Sequence, residues 1–116
     1  MIGNTNRFHG FNALSHVYRH SQTVRGPLLS LKYMPTNRHS YRAAVVVSRK
    51  VHKSAVVRNR IRRRVYECIR LAAGEFVAPY DVVFTVFSER VADMPHTELV
   101  TMVRKALQKA GILKTL

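Results

Sequence analysis

The spacing of apolar and polar positions predicts three helices and three strands in the order α-β-β-α-β-α. Alternation predicts a half-buried strand over 28–34, and longer apolar runs predict more deeply buried strands over 42–48 and 81–87. Helical spacing predicts a short helix that Asn12 could cap, a long helix from about Val56 to Ala73, and a last helix opened by Pro95. This order indicates an α+β fold, a small two-layer α/β sandwich, with one further short strand left open.

Turn-forming residues separate these elements. Gly26-Pro27 ends the first helical unit or the loop after it, and Gly74 and Gly111 lie where the second and last helices should stop. The two strands that flank the long helix are expected to be parallel and joined by a crossover. Since no repeat or low-complexity linker interrupts the sequence, residues 1–116 are predicted to form a single domain.

The long helix has one apolar stripe, formed by Val57, Ile61, Val65, Cys68, Ile69 and Ala72. At about 100° per residue, the remaining arc is almost entirely arginine and would face away from the core. Cys68, the only cysteine, lies on the stripe and is predicted to be a small core residue. A single cysteine excludes an intrachain disulfide and a cysteine-rich metal site.

Positive charge is concentrated in the first part of the chain. The formal net charge is +14, and residues 1–66 contain no Asp or Glu. Five of the seven residues from Arg58 to Arg64 are arginine, and such a run repels itself unless a strongly anionic partner covers it. Apolar residues make up 47% of the chain, too many for a disordered basic tail, so the charge decorates a folded body. Nucleic acid is the predicted partner.

The strand end and loop before the long helix would extend its basic arc into one phosphate-binding surface. Guanidinium groups bind phosphate oxygens bidentately, and a helix N-terminus adds backbone donors. The alternatives are a solvated charged face, a polar loop over 49–55, and a membrane-surface helix. Solvated faces usually mix both signs, and no Trp or Phe accompanies the arginines. The predicted RNA-facing residues are Ser48, Arg49, Lys50, Lys53, Arg58, Asn59, Arg60, Arg62, Arg63, Arg64 and Arg70.

The sequence shows little sign of a catalytic or metal-binding site. The acids form no clustered motif, and the histidines lack the short spacing and carboxylates of a metal site, so no catalytic or metal-binding residue is predicted. His16 and His20 lie one helical turn apart and are expected to face solvent. Tyr18 is the aromatic best suited to stack on a base, because its helix is short and otherwise polar. Without a secretory core or a membrane-length apolar run, a cytoplasmic protein with no membrane association is expected, and no obligate protein partner is evident.

Residues 55–63 closely resemble the bacterial ribonuclease P protein component, whose most characteristic stretch is an Arg-Asn-Arg box on a helix. Here the box is Arg58-Asn59-Arg60, and Ser48-Arg49-Lys50 precedes it as a Ser-basic-Lys strand end. The resemblance covers nearly the whole chain. It includes Arg7-Phe8, Leu14, Tyr18 and Asp81-Val82-Val83.

The resemblance implies a protein subunit of ribonuclease P that joins a catalytic RNA, expected at 1:1, in removing the 5′ leader from precursor tRNA. The chemistry it implies is magnesium-assisted phosphodiester hydrolysis at the RNA, so this chain would belong to an endoribonuclease without holding its catalytic centre. The implied fold is like the second domain of ribosomal protein S5, with a left-handed crossover. The alternatives are a structural RNA-binding protein, such as a ribosomal protein, and an autonomous metal-dependent nuclease, which the missing carboxylate cluster disfavours.

In the family, the box helix faces the catalytic RNA, and a cleft between the first helix and the sheet holds the single-stranded leader. The resemblance therefore implies that Arg7, Phe8, Leu14 and Tyr18 line or flank a leader cleft. Two positions depart from the family pattern, since Leu14 replaces the usual aromatic and Ala13 an acid often found there. Stacking on the leader is then weaker here, or is moved to Phe11.

Overall fold

The computed structural model describes residues 6–8 and 11–114, apart from the side chains of Phe11 and Asn12. The predicted capping role of Asn12 and the stacking role of Phe11 therefore lie outside the described residues. The described residues form three α-helices and four strands, with 3₁₀ turns after the second helix and after the last strand. The elements are α1 Phe11–His20, β1 Gln22–Arg25, β2 Leu29–Pro35, β3 Arg42–Val47, α2 Ala55–Ala72, β4 Tyr80–Val86 and α3 His96–Lys109, with 3₁₀ turns at Ala73–Glu75 and Glu89–Ala92.

The four strands form one sheet in the order β1-β2-β4-β3. β2 is antiparallel to both β1 and β4, whereas β3 and β4 are parallel, with Val45 opposite Phe84. The predicted parallel pair is confirmed, and α2 is the crossover that joins it. The short strand left open by the sequence is β1, which pairs with β2 across a tight turn. Gly26 is required there, because a Cβ on it would lie 2.9 Å from the carbonyl oxygen of Leu29.

The main core lies between one face of the sheet and the helices α2 and α3. Successive side chains of a strand point to opposite faces, so Val82, Phe84 and Val86 of β4 face this core. Val83 points to the other face and is fully buried, as is Val17 of α1, which packs against β2. The sheet therefore carries α2 and α3 on one face, while α1 covers part of the other.

The helix boundaries follow local chemistry. Ser54 caps α2, since its hydroxyl accepts a 3.4 Å hydrogen bond from the backbone N–H of Val57. The helix ends near Gly74 as predicted, but it does so by tightening into a 3₁₀ turn, and Gly74 keeps a negative φ. Gly111 stops α3 with a φ of 75°, and Pro95 is the N-cap residue of that helix. No helix in the described part of the chain is long and apolar enough to span a membrane.

Candidate nucleic-acid interface

The predicted apolar stripe of α2 faces the core. Ile61, Val65, Cys68, Ile69 and Ala72 are buried, which confirms the predicted core position of Cys68. The opposite arc of the helix is therefore presented to solvent. Within it, Asn59, Arg60, Arg63 and Arg70 are exposed, and Arg58, Arg62 and Arg64 are half-buried.

The loop between β3 and α2 brings further cations to the N-terminal end of the helix. Ser48, Arg49, Lys50 and Lys53 are all exposed. Arg58 fixes the loop, because its Nη1 donates to the backbone carbonyls of His52 and Lys53 at 3.0 and 2.9 Å. The loop and the helix therefore form one basic surface, which we call the α2 surface, made of the predicted RNA-facing residues from Ser48 to Arg70.

Partners within the protein divide the cations of this surface into two groups. Arg62 donates to Asn59, Arg70 is paired with Glu67, and an Arg60 Nη2 lies 3.3 Å from a carboxylate oxygen of Asp93. The second group consists of the side chains of Arg49, Lys50, Lys53 and Arg63. None of these four side chains takes part in a hydrogen bond or an ion pair within residues 6–8 and 11–114. These four groups can bind an anion without breaking an existing interaction.

Arg64 is placed differently from its neighbours. Its Nη1 donates to the carbonyl of Val91 at 2.7 Å, and its Nη2 donates to the carbonyl of Met94 at 2.6 Å. These bonds hold the 3₁₀ turn Glu89–Ala92 and the start of α3 against α2. The guanidinium thus has an intramolecular role, and its predicted RNA contact stays a prediction.

The only acid on α2 lowers the positive charge near the end of that helix. Hydrogen bonding from Arg70 lowers the pKa of Glu67 to about 2, so this carboxylate is ionised at neutral pH. The same bond raises the pKa of Arg70 above its ordinary value. The density of uncompensated charge is consequently highest from the β3–α2 loop to Arg63.

Residues 6–8 run along the outer edge of β3. The Asn6 amide donates to the Ser40 hydroxyl at 2.7 Å and to the Tyr41 carbonyl at 2.8 Å, and the Phe8 N–H donates to the Ala43 carbonyl at 3.3 Å. The side chains of Arg7 and Phe8 then diverge. The Arg7 guanidinium carbon lies 4.7 Å from the centre of the Tyr66 ring on α2. The Phe8 ring is instead stacked with the guanidinium of Arg42 on β3, also at 4.7 Å.

The predicted leader-cleft residues are thus divided between two regions. Leu14 and Tyr18 lie on α1, where Leu14 is half-buried and the Tyr18 side chain is 41% exposed. Phe8 lies near the sheet through its contact with Arg42, whereas Arg7 contacts α2. The structure therefore gives Arg7 a different neighbour from Phe8, and the leader cleft of Phe8, Leu14 and Tyr18 stays a prediction.

Two cations on the same sheet face as α1 were not among the predicted site residues. Arg42 is anchored by Asp81, and the Lys32 Nζ donates to the Thr23 hydroxyl at 3.1 Å. Lys32 was recognisable as a polar position of an alternating strand, but Arg42 carried no such signal, because it stands at the start of an apolar run. Both can supply positive charge on the sheet face that carries α1.

Sequence comparison identifies the family of this chain. The sequence matches the family described as Ribonuclease P over residues 3–111. This chain belongs to the ribonuclease P protein family. It is 40% identical over 97 residues to the ribonuclease P protein component of Chloroflexus aurantiacus, covering 84% of this chain and 71% of that protein. It is 37% identical over 98 residues to the component of a Roseiflexus species, covering 84% of this chain and 80% of that protein.

Solved structures of ribonuclease P proteins share the fold. The Staphylococcus aureus RNase P protein superposes with a TM-score of 0.81 at 18% identity, covering 94% of this chain and 98% of that one. The Thermotoga maritima RNase P protein superposes with a TM-score of 0.74 at 16% identity, covering 83% and 89%. The resemblance found at the Arg-Asn-Arg box is therefore confirmed. Ribonuclease P proteins work with an RNA subunit in an endoribonuclease of tRNA processing.

Proposed function

We propose that the α2 surface binds the catalytic RNA subunit of ribonuclease P, with one protein per RNA. We further propose that the sheet face beside α1 binds the 5′ leader of precursor tRNA. The observation that carries the first part is the division of α2 into a buried apolar stripe and an outward basic arc. That arc continues into the β3–α2 loop, whose Arg49, Lys50 and Lys53 have no partner in the described part of the chain.

Phosphate neutralisation supplies the affinity in this proposal. Each Lys or Arg that contacts a phosphate releases counterions, so binding weakens as salt concentration rises. If about six phosphates are neutralised on single-stranded or irregular RNA, log affinity falls with log salt with a slope of roughly −4. Asn59 and the Ser48 hydroxyl would add hydrogen bonds that position the RNA without adding charge.

Stacking and charge would together hold the leader. Tyr18 offers a partly exposed ring on α1, where Leu14 adds apolar surface, and Phe8 offers apolar surface against Arg42. Aromatic rings bind bases of any sequence through their π faces, at about 1–3 kcal/mol per stacked base. Since Leu14 stands where the family usually has an aromatic, Tyr18 would carry the larger part of the stacking.

Magnesium bound by the RNA would supply the metal-assisted hydrolysis of the scissile phosphodiester. This chain's part is to bind and orient. Its cations neutralise RNA phosphates, which lowers repulsion within the complex, raises its affinity for the anionic substrate and lowers the magnesium concentration that the complex needs. The bond cleavage would then belong to the RNA, and the protein would increase the fraction of substrate held in position.

Reconstitution tests the proposal. Purified protein is added to its cognate catalytic RNA and precursor tRNA at a magnesium concentration where the RNA alone is slow. We expect strong stimulation of cleavage at the mature 5′ end, and loss of stimulation for the double variant Arg62→Ala, Arg63→Ala. The absence of stimulation by the unmodified protein would refute the proposal.

Two control measurements separate the alternatives. Recovery of ribosomal RNA alone after pull-down and RNA sequencing would favour a structural role, such as that of a ribosomal protein. Cleavage of precursor tRNA by rigorously RNA-free protein would favour an autonomous nuclease.

A further inference from the structure

Tyr66 occupies the centre of the basic arc of α2. It follows Arg62 by four positions and Arg63 by three, and it precedes Arg70 by four. Residues three and four apart are neighbours on a helix surface, so these three arginines are the neighbours of Tyr66 on α2. Its hydroxyl accepts a 3.3 Å hydrogen bond from the backbone N–H of Val45, which tilts the ring toward the edge of β3.

The contacts of its two neighbours in the chain hold Arg7 over the Tyr66 ring. Asn6 is tied to Ser40 and Tyr41, and the backbone of Phe8 is tied to Ala43. Between these anchors the guanidinium of Arg7 stacks on Tyr66, and its Nε is buried without a hydrogen-bond partner in the described part of the chain. Further hydrogen bonding by this guanidinium therefore falls to its two terminal nitrogens.

Arg7 adds one more cation to the basic arc of α2 through its contact with Tyr66. The fold places a cation on a surface that already carries Arg62, Arg63 and Arg70. Glu67, the only acid on that helix, is hydrogen-bonded to Arg70. Stacking on Tyr66 offsets part of the repulsion between these cations. A polyanion lying across the arc would convert the remaining repulsion into attraction.

We propose that Arg7 is part of the surface that binds the catalytic RNA, not part of the leader cleft. Its guanidinium, oriented by Tyr66, binds a phosphate or a base of that RNA between Arg63 and Arg70. This extends the binding surface along α2 and gives the segment 6–8 a role in assembly. The inference rests on the proposed function of the α2 surface.

A substitution that keeps the packing but removes the charge tests this assignment. Arg7→Met retains an apolar stem over Tyr66, and Lys109→Met is the matched control, because it removes one charge from an exposed position in the last turn of α3. Affinity for the catalytic RNA is measured without precursor tRNA over a range of salt concentrations. We expect Arg7→Met to weaken binding about tenfold and to reduce the salt slope by about 0.7, and Lys109→Met to change neither.

The role of the Tyr66 ring is tested by a double-mutant cycle. Tyr66→Leu removes the stacking platform, so we expect it to weaken binding by an amount that is not additive with Arg7→Met. Tyr66→Phe keeps the ring and should bind RNA almost normally. Arg7→Lys keeps the charge but loses the planar contact, so we expect it to preserve the salt slope while losing part of the affinity. Full additivity of Arg7→Met and Tyr66→Leu would contradict the proposed coupling.

A second readout separates the two assignments of Arg7. The assembled complex is tested for affinity toward precursor tRNA with a long and with a short leader. We expect the ratio of the two affinities to be unchanged by Arg7→Met and reduced by Tyr18→Ala. If Arg7→Met reduces that ratio while binding the catalytic RNA normally, the inference is wrong and Arg7 belongs with the leader.

Failure of this inference is distinguishable from failure of the proposed function. If the unmodified protein does not bind the catalytic RNA, the proposed function is wrong. If it binds, and Arg63→Met weakens binding while Arg7→Met does not, the proposed function stands and only the assignment of Arg7 falls. Thermal unfolding of each variant guards against a folding defect, and Arg7→Lys provides a second, milder substitution at the same position.

Discussion

Arg42 and Asp81 lie opposite each other on the parallel strands β3 and β4 and are joined by two hydrogen bonds of 2.9 and 2.8 Å. Asp81 is only 2% exposed, and its hydrogen bond raises the pKa of Arg42 above the ordinary value. Phe8 stacks on the same guanidinium. A charge pair with a buried carboxylate therefore links the two parallel strands and gives residues 6–8 a fixed point of contact.

Removing one partner of this pair should destabilise the fold. Asp81→Asn leaves Arg42 without its counter-ion, and we expect the free energy of unfolding to fall by about 2–3 kcal/mol, since Arg42 retains some solvent access. Asp93→Asn is the control, because Asp93 forms an exposed ion pair with Arg60 and should change stability by less than about 0.5 kcal/mol. Urea denaturation measures both. Equal effects of the two substitutions would show that burial of Asp81 contributes little.

Arg63 and Arg64 are neighbours in sequence but should respond differently to the same substitution. Arg64→Met removes the hydrogen bonds to Val91 and Met94, and we expect a loss of stability of about 2 kcal/mol. Arg63→Met should leave stability nearly unchanged and weaken binding to the catalytic RNA. Denaturation and filter binding are carried out on both variants. A large stability loss in Arg63→Met would contradict the structural distinction between these arginines.

Cys68 should be nearly unreactive in the folded protein. Its side chain is buried, and burial raises the pKa of the thiol to about 11, so very little thiolate is present at pH 8. We expect modification by a disulfide reagent at pH 8 to be slow in native buffer and fast in urea. Fast modification of the folded protein would mean that α2 moves away from the core far more often than its packing indicates.

The ion pair between Glu67 and Arg70 should make stability depend on pH in the acid range. The hydrogen bond lowers the folded-state pKa of Glu67 from 4.5 to about 2, so the ionised carboxylate favours the folded state. This contribution is complete above pH 4.5 and is lost as the pH falls toward 2. We expect Glu67→Gln to lower stability at pH 7 and to flatten its decline between pH 4.5 and 2, whereas Glu98→Gln, an exposed control, should leave that decline unchanged.

Local sequence patterns predicted most of the fold, because the main elements are long or strongly periodic. The apolar stripe of α2 and the apolar runs of β3 and β4 predicted which residues are buried. The predicted ends of these three elements lie within about one residue of the observed ends. β1 was missed as a defined element because only Val24 among its four residues is apolar, so no alternation could be seen. Its formation depends on pairing with β2, which a local pattern does not report.

The distribution of roles among the arginines was harder to predict. Arg60 and Arg64 lie near the same edge of α2, yet Arg64 is bonded to carbonyls 27 and 30 residues further along the chain. No local signal shows which backbone groups will pack beside that edge. Likewise, the sequence places Arg7 next to Phe8, but strand-like alternation along the β3 edge sends their side chains to different neighbours.

The contacts of residues 6–8 with β3 also bear on solubility. β3 is an edge strand with an apolar run from 43 to 47, the kind of edge that pairs with other molecules and starts aggregation. The Phe8 N–H donates to the Ala43 carbonyl, and the Val45 N–H donates to the Tyr66 hydroxyl. These two edge groups are therefore already hydrogen-bonded within the molecule. A chain that begins at His9 should therefore scatter light at concentrations where the full chain stays clear. The segment that orients Arg7 would also keep neighbouring molecules from adding a strand.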